Sequence, residues 1–534
     1  MNEQAAENPR VTVSGGILEG TVELGSGMHS FKGIPFAAPP IGDLRWRPPH
    51  PAAPWGGVRP AHQFGPRAMQ LPVFGDMSFR SPGMSEDCLY LNVWAPAAPA
   101  EERLPVLVYF YGGGNVAGDG SEPRYDGARL AQRGIITVTA NYRLNIFGFF
   151  AHPELTQESP HRAAGNYGYL DQAAALHWVR DNIAAFGGDS GRVTIAGESA
   201  GSISVSAQLV SPLAKGLIAG AIGSSGSVMP ALTPVSLAPV SQADAERAGL
   251  KLVASLGASS LAELRALPAE RLLEATRQRG PEHFPGTIDG YFLPRSPEEL
   301  YVAGEQAQVP LLVGWNSEEA SYVFLLGDRE PTPENIRTVV RERFGARAEQ
   351  VLRLYPASTD EQVIVAATDL ASDLFLGYNT WKWAELHGRT GGRPVYRYLY
   401  AHPRPPMRPE MGDAVGGLAG GVLRGAEAAA QRLPPARGAV HSADIEYFMG
   451  NLATNMVYAW THEDEQLSEL MQQYYANFVR SGDPNGPGIP HWPPANAGDT
   501  VQCLRLDVEP ARQPDRHRER YLFLDELLGG ALAR

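Results

Sequence analysis

Cysteine is scarce. Cys88 and Cys503 are the only two in 534 residues, too few for a disulfide framework or a cysteine-built zinc site. Lysine occurs only at Lys32, Lys215, Lys251 and Lys382. Basic charge as a whole is in deficit, with 45 Lys and Arg against 58 Asp and Glu for a net charge of -13. That balance argues against a nucleic-acid partner, which needs a basic face. No uninterrupted apolar stretch is long enough to span a bilayer, residues 1–10 carry neither a basic nor an apolar leader region, and no Asn-x-Ser/Thr sequon occurs. The expectation is a soluble, cytoplasmic protein with no membrane partner, although a secreted chain trimmed of its signal would read the same. Hydrophobic residues at 43% and charged residues at 19% are globular proportions. With no internal repeat and no second unit in view, one domain is expected over 1–534.

What the chain does carry is a G-x-S-x-G pentapeptide, Gly197-Glu198-Ser199-Ala200-Gly201, between the apolar run Val193-Thr194-Ile195-Ala196 and the small-residue stretch Ser202-Ile203-Ser204-Val205. A β-branched strand, a glycine-flanked turn and a helix are what a nucleophile elbow needs, because the serine must sit on a strained turn clear of the sheet. The competing reading is an ordinary strand-turn-helix in which Ser199 caps the helix. Oxyanion donors, a base and an orienting acid elsewhere in the chain decide between the two.

Val11-Thr12-Val13 and Ile17-Leu18-Glu19 read as a hairpin. The proline-rich stretch from Phe31 to Pro49 excludes a helix. Ser85 to Trp94 alternates as a strand does. The near-continuous runs Val106 to Phe110 and Ile135 to Ala140 indicate strands buried on both faces. Between them, Gly112-Gly113-Gly114 lacks the Gly-Lys-Ser/Thr of a phosphate cradle. It reads instead as an oxyanion loop, with Gly113, Gly114 and the amide of Ala200 as donors; a flexible loop is the plainer alternative. Helical spacing runs from Asn166 through Ile183 and stops near Phe186-Gly187, just before the elbow strand. This succession predicts an α/β fold with a mixed, mostly parallel sheet flanked by helices.

These stretches resemble the type-B carboxylesterases, α/β-hydrolases that include bacterial para-nitrobenzyl-esterase-like enzymes, liver carboxylesterases and cholinesterases. The matching blocks are Phe31-Lys32-Gly33-Ile34-Pro35, Ser85-Glu86-Asp87-Cys88-Leu89-Tyr90-Leu91-Asn92, Tyr111-Gly112-Gly113-Gly114, Asn141-Tyr142-Arg143, Leu170-Asp171-Gln172, residues 182–188 and the elbow. The resemblance implies a serine carboxylesterase acting on a small-molecule ester through an acyl-enzyme, without metal or organic cofactor, as a monomer or a homodimer. It also implies buried scaffold ion pairs between Arg45 and Glu86 and between Arg143 and Asp171.

For the orienting acid, the strand Val309 to Trp315 runs into Asn316-Ser317-Glu318-Glu319-Ala320. The family's Asp-Glu-Gly falls on Glu318-Glu319-Ala320, which selects Glu319, with Glu318 as fallback and Asp289 third. The family's Gly-x-x-His block falls on Gly438 to His441, which selects His441 as base for the nucleophile Ser199. Glu198, Ser225 and Asp444 are implied as one polar network around this triad, with a purely structural role as the alternative.

Helical insertions at about 230–300 and 331–392 are expected to cap the cleft, and Gly412 to Gly425 reads as a mobile loop. The amphipathic stretch Glu465 to Val479 reads as a helix packed on the sheet. Met69 stands where relatives pair Cys88, so Cys88 is expected to be a buried thiol. Pro66 to Asp87 contains no Trp, which removes the usual aromatic anchor for a choline ester. The reading from another class is a catalytically silent, esterase-like adhesion or binding protein; the resemblance implies that such members lack a triad residue and are usually membrane-tethered. An amidase uses the same triad.

Overall fold

The structure, a computed structural model, describes residues 8–97, 102–233, 236–277, 279, 283–430, 435–498, 500–515, 517–530 and 532. Among these, eleven strands form the central sheet: β1 (Thr21–Val22), β2 (His29–Pro35), β3 (Tyr90–Ala95), β4 (Leu104–Phe110), β5 (Ile136–Ala140), β6 (Gly188–Glu198), β7 (Gly220–Ser224), β8 (Leu311–Asn316), β9 (Val395–Tyr400), β10 (Gln502–Leu506) and β11 (Ala511–Pro514). Their spatial order is β11-β10-β9-β8-β7-β6-β4-β5-β3-β2-β1. Every pairing from β10 through β5 is parallel, and the pairings at both ends are antiparallel. The continuous apolar runs follow from this placement: β5 is buried at every residue and β4 at all but its first, as strands covered on both faces must be.

Three helices matter for the site. Helix α1 (Tyr167–Asn182) ends in a 3-10 turn and Gly187 at φ 84°, a left-handed stop that glycine adopts at no steric cost. Helix α2 (Ala200–Val210) follows the elbow and is buried along its whole length. Helix α3 (His462–Ser481) starts three residues before the predicted stretch because Thr461 and Asp464 form a capping box. It lies against β4 and β6 and buries Leu467, Met471, Tyr474 and Phe478. The N-terminal hairpin pairs Arg10–Val13 with Gly16–Glu19.

The predicted strand from Ser85 begins only at Tyr90. Ser85 Oγ accepts the Asp87 N–H at 3.0 Å, and this local turn competes with extended pairing. Glu86 is thereby aimed at Arg45, whose Nε and Nη2 donate to it at 2.6 Å each. Arg45 Nη1 also reaches the carbonyls of Arg265 and Leu267 in the first insertion, so this pair joins two distant segments. The Arg143 and Asp171 pair is fully buried, with Nε and Nη2 donating at 2.8 and 2.7 Å. Cys88 is a buried free thiol, and burial pushes its pKa well up.

The first insertion carries helices Gln242–Leu256, Leu261–Ala266, Ala269–Glu274 and Pro297–Val302. The second carries Pro333–Phe344, Ala348–Leu354, Asp360–Ser372 and Tyr378–Thr390, the last two joined by a π-helical turn at Asp373–Gly377. One contiguous apolar cluster extends from Val13 to Leu532. Among the described residues, no helix is long and apolar enough to cross a membrane.

Two sequence expectations change here. Gly412 to Gly425 is not a free loop: Val415–Gly416 pairs with Val422–Leu423, Gly421 N–H donates to Asp76, and Ser442 Oγ donates to the Leu418 carbonyl. Asp289 is a turn holder, its Oδ1 accepting the N–H groups of Tyr291, Phe292 and Leu293 and its Oδ2 the amide of Asn166.

Candidate active site

Ser199 sits at φ 57° and ψ -123°, a backbone state that costs a side-chain-bearing residue about 1–3 kcal/mol and persists only where its surroundings impose it. Those surroundings are glycine contacts. A Cβ on Gly201 would lie 2.0 Å from the Phe110 carbonyl, and one on Gly197 would lie 2.4 Å from Gly201, so the turn is wedged between β4 and α2. Ser199 N–H donates to the Ser224 carbonyl at 2.9 Å. Its side chain makes no capping bond to α2, which removes the reading of Ser199 as a helix cap.

Instead, Ser199 Oγ lies 3.0 Å from His441 Nε2, and His441 Nδ1 lies 2.6 Å from Glu319 Oε2. A carboxylate can only accept, so Nδ1 carries the imidazole proton and Nε2 accepts from the serine hydroxyl. The remaining oxygen of Glu319 accepts the Asn316 N–H at 2.6 Å and the Ser225 hydroxyl at 2.5 Å. Both oxygens of the carboxylate are thus engaged.

The loops bearing Glu319 and His441 are tied together. Glu318 N–H donates to the Ala439 carbonyl at 2.8 Å, and Asn316 Nδ2 to the Val440 carbonyl at 2.7 Å. Glu318 itself points elsewhere, accepting the Arg437 N–H at 2.9 Å, so it makes no contact of the kind a triad acid needs.

The structure divides the predicted polar network. Ser225 holds Glu319 rather than Glu198. Asp444 accepts from Tyr398 OH at 3.0 Å and from Asn316 Nδ2 at 3.4 Å, and Tyr398 OH also meets Ser224 Oγ. Glu198 Oε1 lies 3.3 Å from His441 Nε2 without an aligned hydrogen bond. Burial raises the Glu198 carboxyl well above its ordinary value, against the pull of His441. Burial also lifts Asp444 to about 6, with help from the Glu319 charge. On His441, burial disfavours the cation, yet the charges of Glu198 and Glu319 outweigh it and the net direction is upward.

The glycine loop is a fixed turn. Gly113 at φ 109° and Gly114 at φ 63° are left-handed, and a Cβ on Gly113 would strike the Ala117 carbonyl at 2.2 Å. The Gly113 carbonyl accepts from Val116 and Ala117, Gln70 pairs with Gly118 through both its amide atoms, and Asn145 N–H holds the Asn115 carbonyl at 2.6 Å. Ala200, the first residue of α2, presents its amide at the positive end of that helix. Gly113, Gly114, Ser199 and His441 share one cavity of about 300 Å³.

The cavity wall includes residues that no sequence signal singled out. Leu418 and Ala419 come from the supposed loop, Phe375 and Leu376 from the π-helical turn, and Arg124 from the segment after the glycine loop. Asn316, which links Glu319 to Asp444, was also missed, although a polar residue closing an apolar strand just before the acid is a usable signal.

Comparison with known proteins shows the family. The model of the carboxylesterase family matches residues 7–523. The fumonisin B1 esterase of Sphingopyxis macrogoltabida is 36% identical over 91% of this chain and 84% of its own. The para-nitrobenzyl esterase of Bacillus subtilis is 34% identical over 96% and 97%. A solved PNB esterase structure superposes with a TM-score of 0.77 at 32% identity, covering 96% of this chain and 98% of that one. The chain belongs to the carboxylesterase family and has its α/β-hydrolase fold: it is a serine carboxylesterase, a hydrolase of carboxylic esters.

Proposed function

We propose that Ser199 is the nucleophile, His441 the base and Glu319 the orienting acid of this esterase. The observation that carries the assignment is the unbroken line from Glu319 through His441 to Ser199. His441 takes the serine proton as Oγ attacks the ester carbonyl, and Glu319 stabilises the imidazolium that forms. The amides of Gly113, Gly114 and Ala200 hold the tetrahedral oxyanion, where one donor is worth about 3–4 kcal/mol. His441 then protonates the departing alcohol and activates the water that hydrolyses the acyl-enzyme.

The cavity walls of Val73, Phe74, Leu237, Phe324, Phe375 and Leu376 suit an apolar acyl group. The volume of about 300 Å³ falls at the small end of ligand sites, so short and medium acyl chains are preferred over long ones. The test is release of 4-nitrophenol from acetyl, butyryl, octanoyl and palmitoyl esters, with mass spectrometry of the trapped acyl-enzyme. Turnover with an acyl adduct on the Ser199 peptide is expected. An adduct on any other residue, or none during turnover, would sink the assignment.

The charge beside His441 makes a second test. His441 acts as base only when neutral, so a neighbour that raises its pKa moves the acid limb of the activity profile to higher pH. Glu198 is such a neighbour. Glu198→Gln therefore shifts the acid limb of kcat/KM to lower pH, read from the rate profile between pH 5 and 10. A limb that stays in place or moves upward contradicts this role.

A further inference from the structure

The cavity that holds Ser199 also holds a cation that ester cleavage does not use. Arg124 lines it beside Glu198 and His441, yet it is only 7% exposed. It sits in the short turn Pro123–Tyr125, where its Nε donates to Glu122 Oε2 at 3.0 Å and its guanidinium lies 4.9 Å from the Tyr125 ring centroid. Nη1 is buried without a hydrogen-bond partner among the described residues. An unsatisfied donor on a buried cation is costly unless something else completes it.

Among the described residues no neighbouring acceptor completes it. A second buried guanidinium, Arg404, interacts repulsively with Arg124 and has its own partnerless Nε and Nη1. The nearby Glu446 is engaged by Arg404 Nη2 at 3.2 Å. Glu122, Glu446 and Glu198 all favour the Arg124 cation, but among the described residues only Glu122 accepts a hydrogen bond from it. Arg124 is therefore held as a cation at the wall of an otherwise mostly apolar cavity, with one donor unfilled.

The side of the cavity is set by the chemistry. The departing alcohol oxygen collects its proton from His441 Nε2, which lies 3.0 Å from Ser199 Oγ and 3.3 Å from Glu198 Oε1. The alcohol portion of the ester thus leaves past Glu198, and Arg124 is, after His441, the cation that acts on Glu198. We propose that Arg124 is a specificity-determining residue that binds a carboxylate on the alcohol portion, so that preferred substrates are acyl esters of hydroxy acids. Hydrolysis of such an ester by water yields the free acyl acid and the hydroxy acid.

This inference rests on the Ser199 assignment, which turnover of 4-nitrophenyl acetate tests separately on the same preparation. The experiment compares O-acetyl ω-hydroxy acids of two to six carbons with their primary carboxamides at pH 7.5, reading kcat/KM from acetate release. The carboxamide has nearly the same shape without the charge. The intact protein is expected to favour the carboxylate by about tenfold or more at the chain length that reaches Arg124, as a charge-assisted contact allows. Arg124→Met removes that preference, and Arg124→Lys keeps its direction with a smaller ratio. A ratio near one at every length in the intact protein overturns the proposal without any variant, and a preference that survives Arg124→Met overturns it equally.

Discussion

Ser199→Ala lowers kcat on 4-nitrophenyl acetate by about a million-fold, the scale on which a serine triad loses its nucleophile. The magnitude follows from the three groups acting as one unit. Without Oγ, His441 has no hydroxyl to deprotonate, and the acyl-enzyme cannot form. His441→Ala should therefore cost about as much alone, and the double variant little more than either single one. Residual catalysis of about 10³–10⁴ over water survives from the oxyanion donors and substrate binding. The check is steady-state kinetics on all three variants, with circular dichroism to verify folding. A Ser199→Ala protein that keeps more than about a hundredth of the activity, against the expected scale, places the nucleophile elsewhere.

The second large effect falls on stability. Asp171→Ala strips the Arg143 guanidinium of its two side-chain bonds and removes the acceptor of the Arg143 backbone N–H at 3.0 Å. Arg143 Nη1 already has no hydrogen-bond partner among the described residues, so the variant leaves a buried charge almost wholly without hydrogen-bonded partners. Removing one member of such a pair costs about 3–5 kcal/mol, read as a lower urea midpoint. The damage also reaches the glycine loop, since Asn145, two residues beyond Arg143, holds the Asn115 carbonyl. Activity below the unfolding transition should fall too. An unchanged midpoint would mean that the pair contributes nothing to the fold. Glu86→Ala should cost less, because Arg45 keeps its carbonyl partners in the first insertion and the pair has more access to water.

The fold was legible because its signals are local. The runs ending at Phe110 and Ala140 are apolar on both faces, and the elbow must compress a strand, a strained serine and a helix into adjacent residues. The choice between Glu318 and Glu319 was not local. Neighbouring carboxylates look alike in a sequence, and only the family pattern separated them. In the fold, Glu318 accepts from the Arg437 N–H while Glu319 reaches His441, 122 residues along the chain. The partner of Ser225 was hidden for the same reason, since its bond to Glu319 joins residues 94 apart. Glycine and alanine in Gly412 to Gly425 carry no local sign that Ser442 and Asp76 anchor them. Arg124 reads as one more surface arginine until the fold buries it.

The span between the reacting residues has a consequence for how the chain acquires its activity. Ser199 and His441 are 242 residues apart, and Glu319 and His441 are 122 apart, so these contacts form only after long loops have closed. Closing such loops costs entropy before any long-range contact offsets it, and parallel strand pairing makes the same demand. Helices form over much shorter distances and do not depend on those closures. During refolding, esterase activity therefore reports completion of the whole sheet, while circular dichroism reports its earlier, local stages.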